Sequence, residues 1–184
     1  VGTGERGLDR HALRFGLDHD NYMGSLRQSN KQHDSWTEFF IHERLLPQLI
    51  IARNNGSFSA KDEVLFEHLF SKLPDIIPEE VPALVHGDLW SGNYIAGTGN
   101  RTWLIDPAVA YGHREEDIAM SRLFGGFPAR FYQAYHNYYH LQKGWQERAE
   151  IFQLYPLLIH VNLFGGGYVN SVKTILNSRL ILKH

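Results

Sequence analysis

Three apolar runs, none longer than four residues, stand between Ala83 and Ile105: Ala83-Leu84-Val85, Tyr94-Ile95-Ala96 and Thr102-Trp103-Leu104-Ile105. Runs of that length, set apart by glycine-bearing turns, are strand-sized, so the bulk of the fold has to come from the helical patterns on either side. Upstream, Ser35-Trp36-Thr37-Glu38 fits a capping box, in which the hydroxyl and the carboxylate each satisfy an orphan N–H. Phe39, Phe40, Leu45, Leu46, Leu49 and Ile50 continue it as a helix, with a bend expected at Pro47 and a stop at Asn54-Asn55-Gly56. Ser59 opens a second amphipathic helix through Leu65, Phe66, Leu69, Phe70 and Leu73, with Pro74 as its expected end. Everything after Pro107 reads as helix, over roughly 114–124, 128–141 and 145–184, the last broken at Gly165-Gly166-Gly167. The fold class is therefore α+β, mostly helical, with a small β-hairpin cluster that carries two acidic loop ends.

Composition removes several functions. Lys+Arg 18 against Asp+Glu 20 leaves a formal charge of −2, so there is no broad field for nucleic acid or an anionic membrane. Cys 0 excludes disulfides, thiolate nucleophiles and Cys-ligated metals. No apolar stretch approaches the ~20 residues that span a bilayer, and the first ten residues carry charges and glycines instead of an apolar signal core, so a soluble cytoplasmic protein is expected. Residues 1–34, rich in Gly, Asn, Asp and His, read as a loop-rich connector entered mid-protein, and 35–184 as the folded unit.

The chemistry concentrates in His86-Gly87-Asp88-Leu89-Trp90-Ser91-Gly92-Asn93. Asp88 and Asn93 stand at the Asp-to-Asn offset of the protein-kinase catalytic loop H-R-D-x-x-x-x-N. At that spacing an Asp can accept a hydroxyl proton while the Asn offers its carbonyl oxygen to a Mg²⁺ that bridges nucleotide phosphates. Asp106, at the end of the next expected hairpin, returns a second carboxylate to the same rim. Base and two hard oxygen ligands are most of what phosphoryl transfer asks of a protein, since positioning and charge neutralisation carry the reaction. Gly, Asn and Asp also form tight turns for conformational reasons alone. The Asn offset, the flanking strands and Asp106-Pro107 together favour the catalytic reading.

The segments LVHGDLWSGNYIAG, WLIDPAVAYGHREEDIAMSRLFGGFPARFYQAYH and FQLYPLLIHVNLFGGGY resemble the fructosamine kinase family, ketosamine kinases with an aminoglycoside-phosphotransferase-like, protein-kinase-like fold. The likeness runs from about Phe15 to about Arg179. Trp90, Tyr111-Gly112-His113 and the Leu-Phe-Gly-Gly repeats at Leu123 and Leu163 are its narrow features. The resemblance implies ATP-dependent phosphorylation of a sugar hydroxyl on fructosyl-lysine or a similar ketosamine, free or on a glycated protein. It also implies Asp88 as base, Asn93 and Asp106 as Mg²⁺ ligands, and Asp117 as a carboxylate bracing the catalytic loop. Family members hold ATP with an N-terminal lobe. The only phosphate-loop candidate in this chain, Gly2-Thr3-Gly4-Glu5-Arg6-Gly7, follows no strand and precedes no strand lysine. The expectation is a C-terminal catalytic and substrate lobe without the ATP-gripping lobe. It should show an exposed apolar surface beside Asp106 and, in isolation, little affinity for Mg-ATP.

Trp90 is expected either to wall the sugar pocket or to pack the loop on a helix, and His86 and His113 are candidate substrate contacts, with a helix-start role the alternative for His113. His42, His68, His136 and His140 lack metal-site patterns, and Phe131, Tyr132, Tyr135, Tyr138 and Tyr139 fall at helical spacing as core. The competing functions are an aminoglycoside- or choline-type kinase, a kinase-like lobe kept only for binding, and a metal-dependent hydrolase built on His86, Asp88 and His113.

Overall fold

The computed structural model describes residues 14–178 and 180–181; the glycine motif at Gly2–Gly7 lies outside them. Its elements are strands β1 (Asn21–Met23) and β2 (Leu26–Gln28), helices α1 (Trp36–Phe39), α2 (Leu46–Asn54) and α3 (Ala60–Ile76), strands β3 (Ala83–Val85), β4 (Tyr94–Ala96), β5 (Thr102–Leu104) and β6 (Ala110–Gly112), and helices α4 (Glu115–Leu123), α5 (Ala129–Tyr138), α6 (Trp145–Phe152), α7 (Leu154–Phe164) and α8 (Tyr168–Leu176). The α+β class holds, with about half of the described residues in helices and the sheets small. None of the helices is long and apolar enough to cross a membrane among the described residues.

The sheets are three antiparallel pairs, β1-β2, β3-β6 and β4-β5. Two of these were not expected. Residues 14–34 are more than a connector, because Asn21–Gln28 folds as a hairpin around Gly24 and Phe15 and Gly16 bridge to His33 and Tyr111. The three central strands also do not form one cluster: β3 turns away from β4 to pair with β6, in a stretch expected to be helical. A three-residue Ala-Tyr-Gly strand has too little pattern to announce itself, and only its partner fixes it.

Helix boundaries are shifted for reasons that proline chemistry explains. Ser35 caps α1 by accepting from the Glu38 N–H. The helix then runs through a π-helical segment at Phe40–Leu45, so its irregularity lies ahead of Pro47. Pro47 has no N–H for the Glu43 carbonyl, and that carbonyl accepts from the buried Arg44 guanidinium at 3.1 Å. Ser59 and Asp62 form a reciprocal capping box on α3. Pro74 lies inside α3, which continues to Ile76; it is Pro78 that ends it, by forcing the preceding Ile77 into an extended conformation. The 145–184 stretch breaks once more at Gln153, because Pro156 cannot donate to the Phe152 carbonyl.

Trp36, Phe40 and Phe152 stack at the centre of the core, with Phe39, Phe66, Leu69, Ile151 and Leu158 fully or almost fully buried around them. Helix α7 is buried on nearly all sides and packs against α2 and α8, while α4 packs on α6. Helix α5 buries no residue fully, and Tyr138 is 96% exposed, so the aromatic cluster at its helical spacing is peripheral and not core. The β4-β5 hairpin leaves Tyr94, Ile95, Trp103 and Leu104 exposed, an apolar surface of the kind expected beside Asp106.

Candidate active site

Buried Val85 ends β3, and the chain turns at Gly87 with φ +79. A Cβ at Gly87 would lie 2.2 Å from the Ala108 carbonyl oxygen, so glycine is required both by the backbone and by the neighbour. The turn is held from α4. Asp117 Oδ2 accepts the His86 N–H at 2.7 Å and Oδ1 the Gly87 N–H at 2.9 Å. Burial pushes the Asp117 carboxyl up, and the two N–H donors oppose that by favouring the carboxylate. His86 contributes from inside the loop: its Nε2 donates to the Ile105 carbonyl at 3.1 Å and its Nδ1 accepts the Asp88 N–H at 3.3 Å. Both ring nitrogens are engaged, so His86 holds the loop and does not present a free nitrogen to a substrate.

Asp88 and Asn93 are joined directly. Asn93 Nδ2 donates to the Asp88 carboxylate and to the Asp88 carbonyl, each at 2.9 Å. Those two bonds fix the amide, and among the described residues nothing donates to Asn93 Oδ1. Burial raises the Asp88 carboxyl above the ordinary range, with the Asn93 bond and the nearby His86 and His160 pulling it back and Asp106 pushing it up. The β4-β5 register pairs Tyr94 with Leu104, and the Ile105 N–H donates to the Asn93 carbonyl at 3.1 Å. Asp106 follows immediately, exposed and in the left-handed conformation at φ +52, and the Ala108 N–H returns to the His86 carbonyl at 2.9 Å. The loop that starts at His86 and the loop that carries Asp106 are thus laced together, with Asn93 between them.

A cleft of about 380 Å³ opens beside Asp88, walled by Trp90, Met120, Phe124, Ile159, His160 and Tyr168. Trp90 lines this cleft and packs edge-on to Phe124 at 6.2 Å. Gly92 lies under its ring, where a Cβ would come within 2.3 Å of a ring carbon. His160 was not singled out by the sequence reading. Its Nδ1 donates to the Pro156 carbonyl at 2.7 Å, which leaves Nε2 as the acceptor. Phe124, Tyr168 and Phe164 surround the ring with centroids 4.8, 4.9 and 5.5 Å away. A histidine inside the otherwise apolar Leu157-Leu158-Ile159-His160-Val161 was the available signal, a polar group where packing alone would not put one.

His113 is not a substrate contact. It is 0% exposed, packed on Trp36 and Phe152, with Nδ1 accepting the Glu115 N–H and Nε2 on the Pro78 carbonyl, so it holds the entry into α4. Burial lowers its pKa, against Glu80 and Glu115. Glu80, His113 and Glu115 come close enough to hold a metal, but Glu80 is bidentate to Arg114 and Glu115 to Arg148, and those cations already neutralise the pair. A hydrolytic centre that joins His113 to His86 and Asp88 is therefore not formed. His136 and His140 use their Nδ1 atoms on backbone groups at the end of α5.

Glu116, next to the brace, is 7% exposed and lies against Gly112. Burial pushes its carboxyl up to about 7, with Arg44 pulling down and Asp117 pushing further up. The folded state therefore favours the neutral acid, and stability falls as pH rises from the ordinary glutamate range to about 7, then levels. Glu116→Gln should match the parent near pH 4.5 and exceed it by roughly 3 kcal/mol at pH 8, in urea unfolding at both pH values. An equal difference at the two pH values would contradict this assignment.

The fructosamine kinase family model matches residues 8–182. This chain belongs to that family. Fructosamine kinase relatives include a probable ketoamine kinase of Enterococcus faecium, 40% identical over 91% of this chain and 61% of its own length. The ketosamine-3-kinase of Mus musculus is 36% identical over 95% of this chain and 57% of its own length. A Thermobifida fusca crystal structure, provisionally named fructosamine-3-kinase, superposes with a TM-score of 0.85 at 37% identity, covering 95% of this chain and 60% of that one. The chain thus spans about three fifths of the length of these family members.

Proposed function

We propose that residues 35–184 form the catalytic and substrate lobe of a protein-kinase-like fold that phosphorylates a sugar hydroxyl of a ketosamine such as fructosyl-lysine, free or protein-bound, with ATP as donor. The observation that carries this reading is the shared rim. Asp88 faces an aromatic cleft on one side and is bonded to Asn93 on the other, with Asp106 one residue past the hairpin bond that Asn93 receives.

In this reading the acceptor hydroxyl lies against Asp88. Its oxygen forms the new bond to the γ-phosphorus as the bond from that phosphorus to the ADP oxygen breaks, and its proton passes to the Asp88 carboxylate and then to solvent. A divalent cation, Mg²⁺ in this proposal, fits the donor set: a hard carboxylate and an amide oxygen whose nitrogen is already committed. Asn93 Oδ1 and Asp106 would hold it, and it would neutralise phosphate charge. Trp90 and His160 would take the sugar, the indole against its C–H face and Nε2 as acceptor for a hydroxyl or the ketosamine ammonium. Cleft walls with one carboxylate suit a single amine better than a polycationic aminoglycoside.

The test is the split of kinetic constants in a protein of the relatives' full length. Trp90→Ala and His160→Gln should each raise the KM for fructosyl-lysine about tenfold or more while the KM for ATP stays within about twofold, since one lost polar or stacking contact is worth ~1–2 kcal/mol. Equal effects on both substrates would remove the cleft from the acceptor site.

A further inference from the structure

Among the described residues Asp106 is the only non-glycine with positive φ, at +52. A backbone held there persists only where its surroundings over-determine it. Five hydrogen bonds do so. Ahead of Asp106, the Ile105 N–H donates to the Asn93 carbonyl and the Ile105 carbonyl accepts from His86, each at 3.1 Å. Behind it, the Ala108 N–H donates to the His86 carbonyl at 2.9 Å. The other two come from far away in the chain: Gln28 Nε2 donates to the Ala108 carbonyl at 3.1 Å and Asn21 Nδ2 to the Val109 carbonyl at 2.9 Å.

Asn21 and Gln28 face each other across the β1-β2 hairpin, and their amides are interlocked. Gln28 is 2% exposed; its Nε2 also donates to Asn21 Oδ1 at 2.8 Å, and its Oε1 accepts the Tyr155 hydroxyl at 2.8 Å. Turning that amide over would set an oxygen against two acceptors, so it has one orientation. Neither residue lines the cleft itself, although Met23 and Gly24 between them do.

We infer that the Asn21–Gln28 amide pair is a positioning device for Asp106, clamping the Ala108 and Val109 carbonyls just beyond it and thereby fixing the backbone from which its carboxylate projects. The inference rests on the proposed cation-binding role of Asn93 and Asp106. Outer partners that orient a ligand are worth about 10–100-fold in metal affinity. Gln28→Met removes both donors at similar volume, whereas Tyr155→Phe removes a bond from the same network and leaves both donors in place.

The experiment is nuclear magnetic resonance on this chain, with two readouts. In Gln28→Met the Ala108 amide should exchange about tenfold faster than in the parent while α3 amides keep their rates. Mn²⁺ alone, titrated by paramagnetic broadening of the Asn93 side-chain amide, should bind about tenfold more weakly. Tyr155→Phe should bind Mn²⁺ within about twofold of the parent despite its own stability loss. If Gln28→Met does not fold, Asn21→Ala carries the test, with a smaller loss on both readouts. Unchanged Ala108 exchange overturns the clamp regardless of metal. Faster exchange with unchanged Mn²⁺ affinity overturns its role in presenting Asp106. A parent that shows no broadening at Asn93 overturns the cation site itself, and this inference with it.

Discussion

Asp88→Asn is expected to lower kcat by about 10²–10⁴-fold in a protein of the relatives' full length, the range for loss of a general base. The replacement is isosteric and its oxygen can still accept from Asn93 Nδ2, so the loop bonds from Asp117 and His86 remain and the fold and ATP affinity should be kept. What is lost is the site that takes the hydroxyl proton. Since burial holds the Asp88 carboxyl above the ordinary range, the acid limb of kcat/KM in the parent should also be displaced upward, because the base works only once ionised. Turnover within about twofold of the parent would remove Asp88 from this role.

The largest expected stability effect lies at Arg148. Its guanidinium, 7% exposed, forks onto Glu115, 2% exposed, through bonds of 2.9 and 2.6 Å, and also donates to the Lys143 carbonyl. Arg148→Met leaves the Glu115 carboxylate buried without a counter-charge and should cost about 3–5 kcal/mol. Adding Glu115→Leu removes that stranded charge and should restore much of the loss. The consequence reaches the chemistry, because Glu115 starts the helix from which Asp117 braces the His86-Gly87 turn. Urea unfolding of the single and double variants checks it. A loss below about 1 kcal/mol for the single variant would mean the pair is exposed in solution.

What the sequence made legible was local. Asp88 and Asn93 are five residues apart on one loop and bonded at 2.9 Å, and a hairpin of the expected strands brings Asp106 back beside them. Asp117 and Trp90 were readable through resemblance. What escaped depends on partners distant in the chain. The β1-β2 hairpin is stabilised by side-chain bonds that span about eighty residues, so its own composition reads as loop. His113 carries the same side chain whether buried or exposed, and only the packing of Trp36 and Phe152 shows that it faces inward. His160 reaches the cleft beside Asp88 only through the packing of α7, some seventy positions away in sequence. Pro74 misled in the opposite direction, since it is tolerated inside α3 and only Pro78 ends that helix.

In the proposed function this rim transfers a phosphoryl group to a ketosamine hydroxyl. Phosphorus NMR on a protein of the relatives' full length carrying these residues, supplied with ATP, Mg²⁺ and fructosyl-lysine, measures it directly. One new sugar phosphate ester should form for each ADP, abolished by chelation of the cation and lost in Asp88→Asn. Loss of ATP signal to inorganic phosphate alone, or conversion of the sugar adduct without nucleotide, would contradict it.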